Sequence, residues 1–196
     1  MSVLVTKEAP DFTAQAVMPD NSIGEIKLSS YRGKYVVLFF YPLDFTFVCP
    51  SEIVAFDKAI RKFHDRNTVV VGVSVDSQFT HWAWRQTPRN KGGIGEISFP
   101  LVADLDKKIA KSYDVLLNEA VALRGLFLID THGIVRHQVV NDLPIGRSVD
   151  EALRTLDALQ YTEEHGEVCP ANWKEGDDAM KPTAEGVATY LSKHGK

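Results

Sequence analysis

The sequence predicts an α/β protein: a central mixed β-sheet with helices on both faces, followed by an extended C-terminal arm. Three observations carry that expectation. Two apolar runs, Tyr35-Val36-Val37-Leu38-Phe39-Phe40 and Thr68-Val69-Val70-Val71-Gly72-Val73-Ser74-Val75, lack the alternation of a one-sided strand and suit strands buried on both faces. Between them Ile53, Phe56, Ile60 and Phe63 recur at helical spacing, which makes a strand–helix–strand unit with parallel strands. From about Glu163 the composition turns polar, punctuated by Gly166, Pro170, Gly176 and Pro182. The expected division is residues 1–162 for the folded domain and 163–196 for the arm.

Taken in order, Ala9–Val17 alternates enough for an edge strand, and Ile23–Leu28 can pair with it across the turn Pro19-Asp20-Asn21-Ser22. Ser29–Gly33 turns the chain into the buried strand 34–41. A helix is expected from Pro50 to about Arg66, because Pro suits the first helical position and Asp65-Arg66-Asn67 ends the apolar stripe. The second central strand covers 68–76. Phe79–Arg85 opens another helix, whose Trp82 and Trp84 are expected to pack and whose His81 is expected to be structural or solvent-facing. Lys91-Gly92-Gly93-Ile94-Gly95 reads as a flexible loop; it neither follows a strand nor opens a helix, which excludes a phosphate loop. Phe99–Val102 is a short strand, and Asp104-Leu105-Asp106 opens a short helix reaching about Tyr113. Leu123–Asp130 and Ile134–Val140 form a hairpin around Thr131-His132-Gly133. Ser148-Val149-Asp150-Glu151 has capping-box spacing ahead of the apolar face Ala152, Leu153, Leu156 and Leu159. A short helix over Ala184–Ser192 ends the arm.

Composition narrows the function. With 196 residues, 44% hydrophobic and 24% charged, the chain can bury a substantial core. A formal net charge of -4 without a long basic run argues against nucleic acid as a partner. No apolar run approaches the roughly 20 residues that span a bilayer, and the N-terminus lacks a basic segment followed by a long apolar one, so a cytoplasmic protein without membrane partners is expected. Only Cys49 and Cys169 occur. They are too few and too far apart for a disulfide framework or a zinc site, and there is no Cys-x-x-Cys. In a reducing compartment such a pair reads more naturally as a bond made during turnover than as a permanent staple.

Cys49 stands where strand 34–41 hands over to the helix that Pro50 starts. Unpaired amide N–H groups and the positive end of the helix dipole favour a thiolate there. A lone intracellular cysteine is as often an inert core hydrophobe. Thr46, three residues earlier on the loop, places a hydroxyl within reach of the sulfur, although threonine is also common near helix starts. Pro42 ends the strand and stiffens the loop.

Together these residues spell Pro-x-x-x-Thr-x-x-Cys, and the longer string Phe40-Tyr41-Pro42-Leu43-Asp44-Phe45-Thr46-Phe47-Val48-Cys49-Pro50-Ser51-Glu52 resembles the peroxiredoxins, specifically the typical two-cysteine branch that includes alkyl hydroperoxide reductase C. A second Val-Cys-Pro at 168–170 strengthens the resemblance, which spans nearly the whole chain. It implies a thioredoxin-like fold and a thiol peroxidase acting on hydrogen peroxide and small organic hydroperoxides. Cys49 would be the attacking thiolate, with Thr46 and Arg124 stabilising charge on the peroxide oxygens and Pro42 shielding the sulfur. Arg124 matches the family's Arg-Gly-Leu-Phe segment; on its own it could as well fray into water from a strand end. Glu52 and Arg147 are implied supports of the site, and Trp84 a lining residue of its mouth. Cys169 is implied as the resolving cysteine, attacking the Cys49 sulfenic acid from the partner subunit of a homodimer. A thioredoxin-like protein or a flavoprotein would then reduce the disulfide, with no metal and no bound cofactor.

The resemblance further implies decamers, ring-shaped assemblies of dimers, with strand 134–140 available as a dimer edge. Gly92-Gly93-Ile94-Gly95 nearly matches the Gly-Gly-Leu-Gly loop of overoxidation-sensitive members, but Tyr190-Leu191 replaces their Tyr-Phe pair, so intermediate susceptibility is expected. Two rivals stand beside the peroxidase: a holdase chaperone, and a thiol–disulfide exchanger on proteins, which the missing Cys-x-x-Cys disfavours.

Overall fold

A computed structural model describes residues 2–195. Seven strands form one sheet in the order β2-β1-β5-β4-β3-β8-β9. They are β1 (Thr13–Val17), β2 (Ile23–Lys27), β3 (Tyr35–Phe40), β4 (Thr68–Ser74), β5 (Leu101–Ala103), β8 (Arg124–Ile129) and β9 (Val135–Asn141). β3, β4 and β5 are mutually parallel, while β1, β2, β8 and β9 join antiparallel, so the sheet is mixed.

Every residue of β3 and β8 is buried, as continuous apolar runs require when both faces are covered. The two-residue period of β3 sorts its side chains. Phe39 stacks on Phe56 of α1 (Cys49–Lys58) at 4.7 Å between ring centroids, and Tyr41, just past the strand, lies 6.1 Å from Trp84 of α3 (Gln78–Gln86). Val36, Leu38 and Phe40 point the other way, into a core with Ile109 and Ala110 of α4 (Lys108–Ser112) and with Tyr113. Helices therefore cover both faces of the sheet. Gly72 of β4 is fixed by this packing: a Cβ there would come within 2.8 Å of Leu101 and 3.0 Å of the Phe39 ring.

Several expected boundaries move. The helix foreseen over 50–66 is broken at Ala59 (φ -93°, ψ 0°) into α1 and α2 (Ile60–His64), a joint that an uninterrupted apolar stripe does not announce. α4 begins at Lys108 rather than at Asp104: Lys107, in the left-handed region (φ 61°), is its N-cap, and the Asp104 carboxylate reaches forward to accept the N–H groups of Ile109 and Ala110. β1 starts only at Thr13; Ala9 instead donates to the Gly133 carbonyl. A two-residue hairpin, β6 (Leu116–Leu117) with β7 (Val121–Ala122), is too short to leave a periodic signature.

The chain divides into two compact units between Val149 and Asp150. α5 (Val149–His165) runs through the 162/163 boundary read from composition. Beyond it the segment is less extended than its composition suggested: Val168 and Met180 exchange both backbone hydrogen bonds, and Trp173 is buried. α6 (Ala184–His194) follows, capped by the Thr183 hydroxyl. None of the described helices is long and apolar enough to cross a membrane.

Candidate active site

α1 starts at Cys49, with Pro50 in its first turn, directly after the loop that leaves β3. The Cys49 sulfur has no exposed surface. It lies 2.9 Å from the Thr46 hydroxyl oxygen and 3.5 Å from Nη1 of Arg124. The Thr46 hydroxyl is also 2.7 Å from the Leu43 carbonyl oxygen. It has one proton, and a carbonyl can only accept. When the hydroxyl donates to Leu43, its oxygen accepts from a Cys49 thiol; when Cys49 is a thiolate, the hydroxyl must turn its proton to sulfur. Thr46 thus serves both states of Cys49.

Arg124, foreseen as either a site residue or a surface one, is buried at the head of β8. Its Nε donates to the Leu143 carbonyl at 2.6 Å and its Nη1 to Oε2 of Glu52 at 2.6 Å. Glu52, one helical turn after Cys49, is the hub. It also accepts from the Arg147 backbone N–H and Nε at 2.8 Å, and from Nη2 at 2.9 Å. Nη1 of Arg147 donates to the carbonyls of Phe40 and Gly125, tying the guanidinium to the ends of β3 and β8. Burial pushes the Glu52 carboxyl up, but the hydrogen bonds and charges of Arg147 and Arg124 outweigh it and hold the group below its ordinary value.

A charge count gives this cluster its chemistry. Two buried guanidiniums, Arg124 and Arg147, face one buried carboxylate, Glu52. Two minus one leaves a positive charge, and the sulfur of Cys49 is the group beside it that can supply the missing anion. Unpaired buried charge is costly, so an anionic oxygen brought against Arg124 would be stabilised there.

A second buried network, which sequence reading missed, holds the loop from the other side. Tyr41 donates to Oδ1 of Asp44 at 2.8 Å, Nδ1 of His81 lies 2.7 Å from Oδ2, and the Asp44 backbone N–H donates to Asp76. His81 is fully buried, not solvent-facing. Its Nε2 faces the Val102 carbonyl at 3.1 Å, so Nε2 carries a proton and His81 and Asp44 share another. Burial raises the Asp44 carboxyl above its ordinary value, and His81 offsets only part of that. Between this network and Thr46, Phe45 sits in the left-handed region (φ 53°), an unfavourable place for a bulky residue that the flanking bonds enforce. No local sequence signal could have joined Asp44 to His81, 37 residues away.

Pro42 is buried beside this loop. Trp84 is fully buried, so it does not line an open mouth; it packs on Tyr41 and, at 5.8 Å, on Phe45, while its indole N–H donates to the Gly92 carbonyl. Trp82 is the half-exposed tryptophan. The glycine loop expected to be flexible is tied down by that indole bond and by Nε of Arg89 donating to Ile94. Cys169 lies in the second unit, half-buried, and neither cysteine is in a disulfide.

Comparison with known proteins shows similarity along nearly the whole chain. A family model described as the AhpC/TSA family matches residues 5–138, and one described as the C-terminal domain of 1-Cys peroxiredoxin matches residues 158–193. Peroxiredoxin-2 of Mus musculus is 60% identical over 191 residues, covering 97% of this chain and 96% of that protein. Alkyl hydroperoxide reductase C of Helicobacter pylori (strain J99) is 58% identical over 194 residues, covering 98% of each. The crystal structure of reduced Plasmodium vivax 2-Cys peroxiredoxin is similar at a TM-score of 0.96 and 58% identity, covering 97% of this chain and 100% of that one.

Proposed function

The chain belongs to the AhpC/TSA family and is a thiol-dependent peroxidase with a thioredoxin-like fold, and we propose that its two cysteines divide the reaction between them. Cys49 attacks first. Its sulfur forms a bond to the outer peroxide oxygen, the O–O bond breaks, and the departing oxygen takes a proton to leave as water or an alcohol. Cys49 is left as a sulfenic acid. Thr46 turns its hydroxyl proton toward the reacting atoms, and Arg124 holds the charge that spreads over both oxygens. Glu52 and Arg147 keep Arg124 aimed; Pro42 and, through Tyr41 and Phe45, Trp84 keep the loop closed to water. The observation that supports this most is a buried sulfur 3.5 Å from Nη1 of Arg124, a guanidinium that shares the single carboxylate of Glu52 with Arg147.

Cys169 then resolves the sulfenic acid as an intersubunit disulfide of a homodimer. A disulfide needs its Cα atoms within about 7 Å. Cys49 is wholly enclosed at the first turn of α1, so that turn unwinds for the bond to form. The arm, residues 163–196, is the part that delivers Cys169. A thioredoxin-like protein or a flavoprotein reduces the disulfide, and the cytoplasm is the compartment in which such recycling works. β9 at the edge of the sheet supports pairing into a dimer, and the exposed aromatics Phe45, Phe79 and Trp82 support further association into decamers.

Non-reducing electrophoresis before and after one equivalent of hydrogen peroxide tests this reading. A shift to a covalent dimer is expected, absent in Cys49→Ser and in Cys169→Ser. Peroxide consumed with no covalent dimer would remove Cys169 from the mechanism.

A further inference from the structure

The setting of Cys169 singles out a residue that the reaction above does not use. Its sulfur rests on one face of α5, 3.6 Å from the Ala158 carbonyl oxygen and 3.7 Å from the Thr162 hydroxyl. Arg154, Ala158 and Thr162 follow one another at four-residue spacing along that face. The Arg154 guanidinium is held in place by Glu151, which accepts from Nε and Nη2 at 2.7 Å each. Its Nη1 donates to the Trp173 carbonyl at 3.1 Å. The loop 169–173 is therefore clipped to α5 at both ends, at Cys169 by Ala158 and Thr162, and at Trp173 by Arg154. Trp173 is buried, its ring 4.9 Å from that of Tyr161.

Resting on the resolving role of Cys169, we propose that Arg154 is a positioning residue for disulfide formation, supporting negative charge on the docked Cys169 sulfur. The step it serves balances as follows. Cys169 loses its proton, its sulfur forms a bond to the Cys49 sulfur, the S–O bond of the sulfenic acid breaks, and the departing hydroxide takes a proton to become water. One thiol and one sulfenic acid give one disulfide and one water, with no outside oxidant. The attacking form is the thiolate. Yet the contact with Ala158 suits only a thiol, because a carbonyl oxygen repels an anionic sulfur. Something else in the socket must make the anion tolerable. Tyr161 donates to Glu167 at 2.8 Å and stacks on His165, so that side of the socket carries a carboxylate; Glu151 beneath Arg154 carries another. Arg154 is a cation on the face where the sulfur lies, one helical turn before Ala158.

The test follows disulfide formation in the full-length protein after one equivalent of hydrogen peroxide, by rapid quench and alkylation, across a series of pH values. Arg154→Gln is expected to slow this step about two- to fivefold near neutrality, the size of a half-exposed charge pair, with the deficit closing as pH rises. Arg154→Lys keeps the charge but not the fork on Glu151, and is expected to retain the wild-type pH profile. Oxidation of Cys49 itself should proceed at the wild-type rate in both. A deficit equal at every pH, a faster step, or Lys behaving like Gln would overturn the proposal and leave Arg154 as a clasp. Failure of the underlying reading looks different: Cys169→Ser would still form the covalent dimer.

Discussion

Cys49 has no exposed surface and lies between the Thr46 hydroxyl and the Arg124 guanidinium, whereas Cys169 is half-buried against the Ala158 carbonyl oxygen on α5. Each has a threonine hydroxyl nearby that also bonds a backbone carbonyl: Thr46 with Leu43, and Thr162 with Ala158. The parts are alike and the wiring is not. At Cys49 the hydroxyl is 2.9 Å from sulfur and a guanidinium donates to the same atom. At Cys169 the hydroxyl is 3.7 Å away and the carbonyl it bonds is also the sulfur's acceptor. One niche encloses its sulfur between two donors; the other leaves its sulfur half-buried against an acceptor. That is the division of labour expected of an attacking cysteine and a resolving one.

The sharpest way to break the contrast is to remove the anion beneath each arginine. Glu52→Gln leaves two buried guanidiniums short of their carboxylate and is expected to cost about 3–5 kcal/mol of unfolding free energy in urea titrations. Glu151→Gln, which frees a partly exposed Arg154, should cost no more than about 1 kcal/mol. Equal losses would show that the Cys49 cluster is no more rigidly founded than the Cys169 socket. The hydroxyls come next. Thr46→Val is expected to lower the rate of Cys49 oxidation about a hundredfold, as removal of one preorganised donor does, while Thr162→Val should change disulfide formation less than about threefold. Competition kinetics for the first and rapid quench for the second provide the measurement.

Acid gives the smallest and most gradual effect. The Glu52 carboxyl is held below its ordinary value in the fold, so its stabilisation is complete above the unfolded value, about 4.3, and is lost as pH falls through the lowered one. The stability gap between the wild type and Glu52→Gln should therefore be constant near neutrality and shrink as pH drops below about 4. A gap that widened in acid would mean that Glu52 is not held as a carboxylate by the two arginines.

Much of the fold could be read in advance because its signals are local. The unbroken apolar runs of β3 and β4 marked strands covered on both sides, and both are buried along nearly their whole length. Pro50 after Cys49 marked the helix start. The breaks were harder. Ala59 interrupts the helix without a Gly or Pro to announce it, and Asp104, which reads as part of α4, lies ahead of it and accepts two N–H groups of its first turn. His81 shows the limit most clearly: a polar residue just ahead of Trp82 gives no hint that its ring will be enclosed against Asp44, Tyr41 and the Val102 carbonyl.

By itself the sequence determined the order and kind of the main elements, the loop Pro42–Cys49 at a strand-to-helix junction, and the candidacy of Thr46, Arg124, Glu52, Arg147 and Cys169. The elements and the loop follow from periodicity and turn chemistry, which act over a few residues; the roles of Arg124, Glu52, Arg147 and Cys169 entered only as what the resemblance to the peroxiredoxins implies. Tertiary structure alone decided that Glu52 bonds both arginines, that the cluster carries one positive charge in excess, and that Arg154 and Cys169 share a helix face. Charge and hydrogen bonding depend on distance in space, and this cluster joins residues up to 107 apart in the chain, which no spacing along the chain encodes.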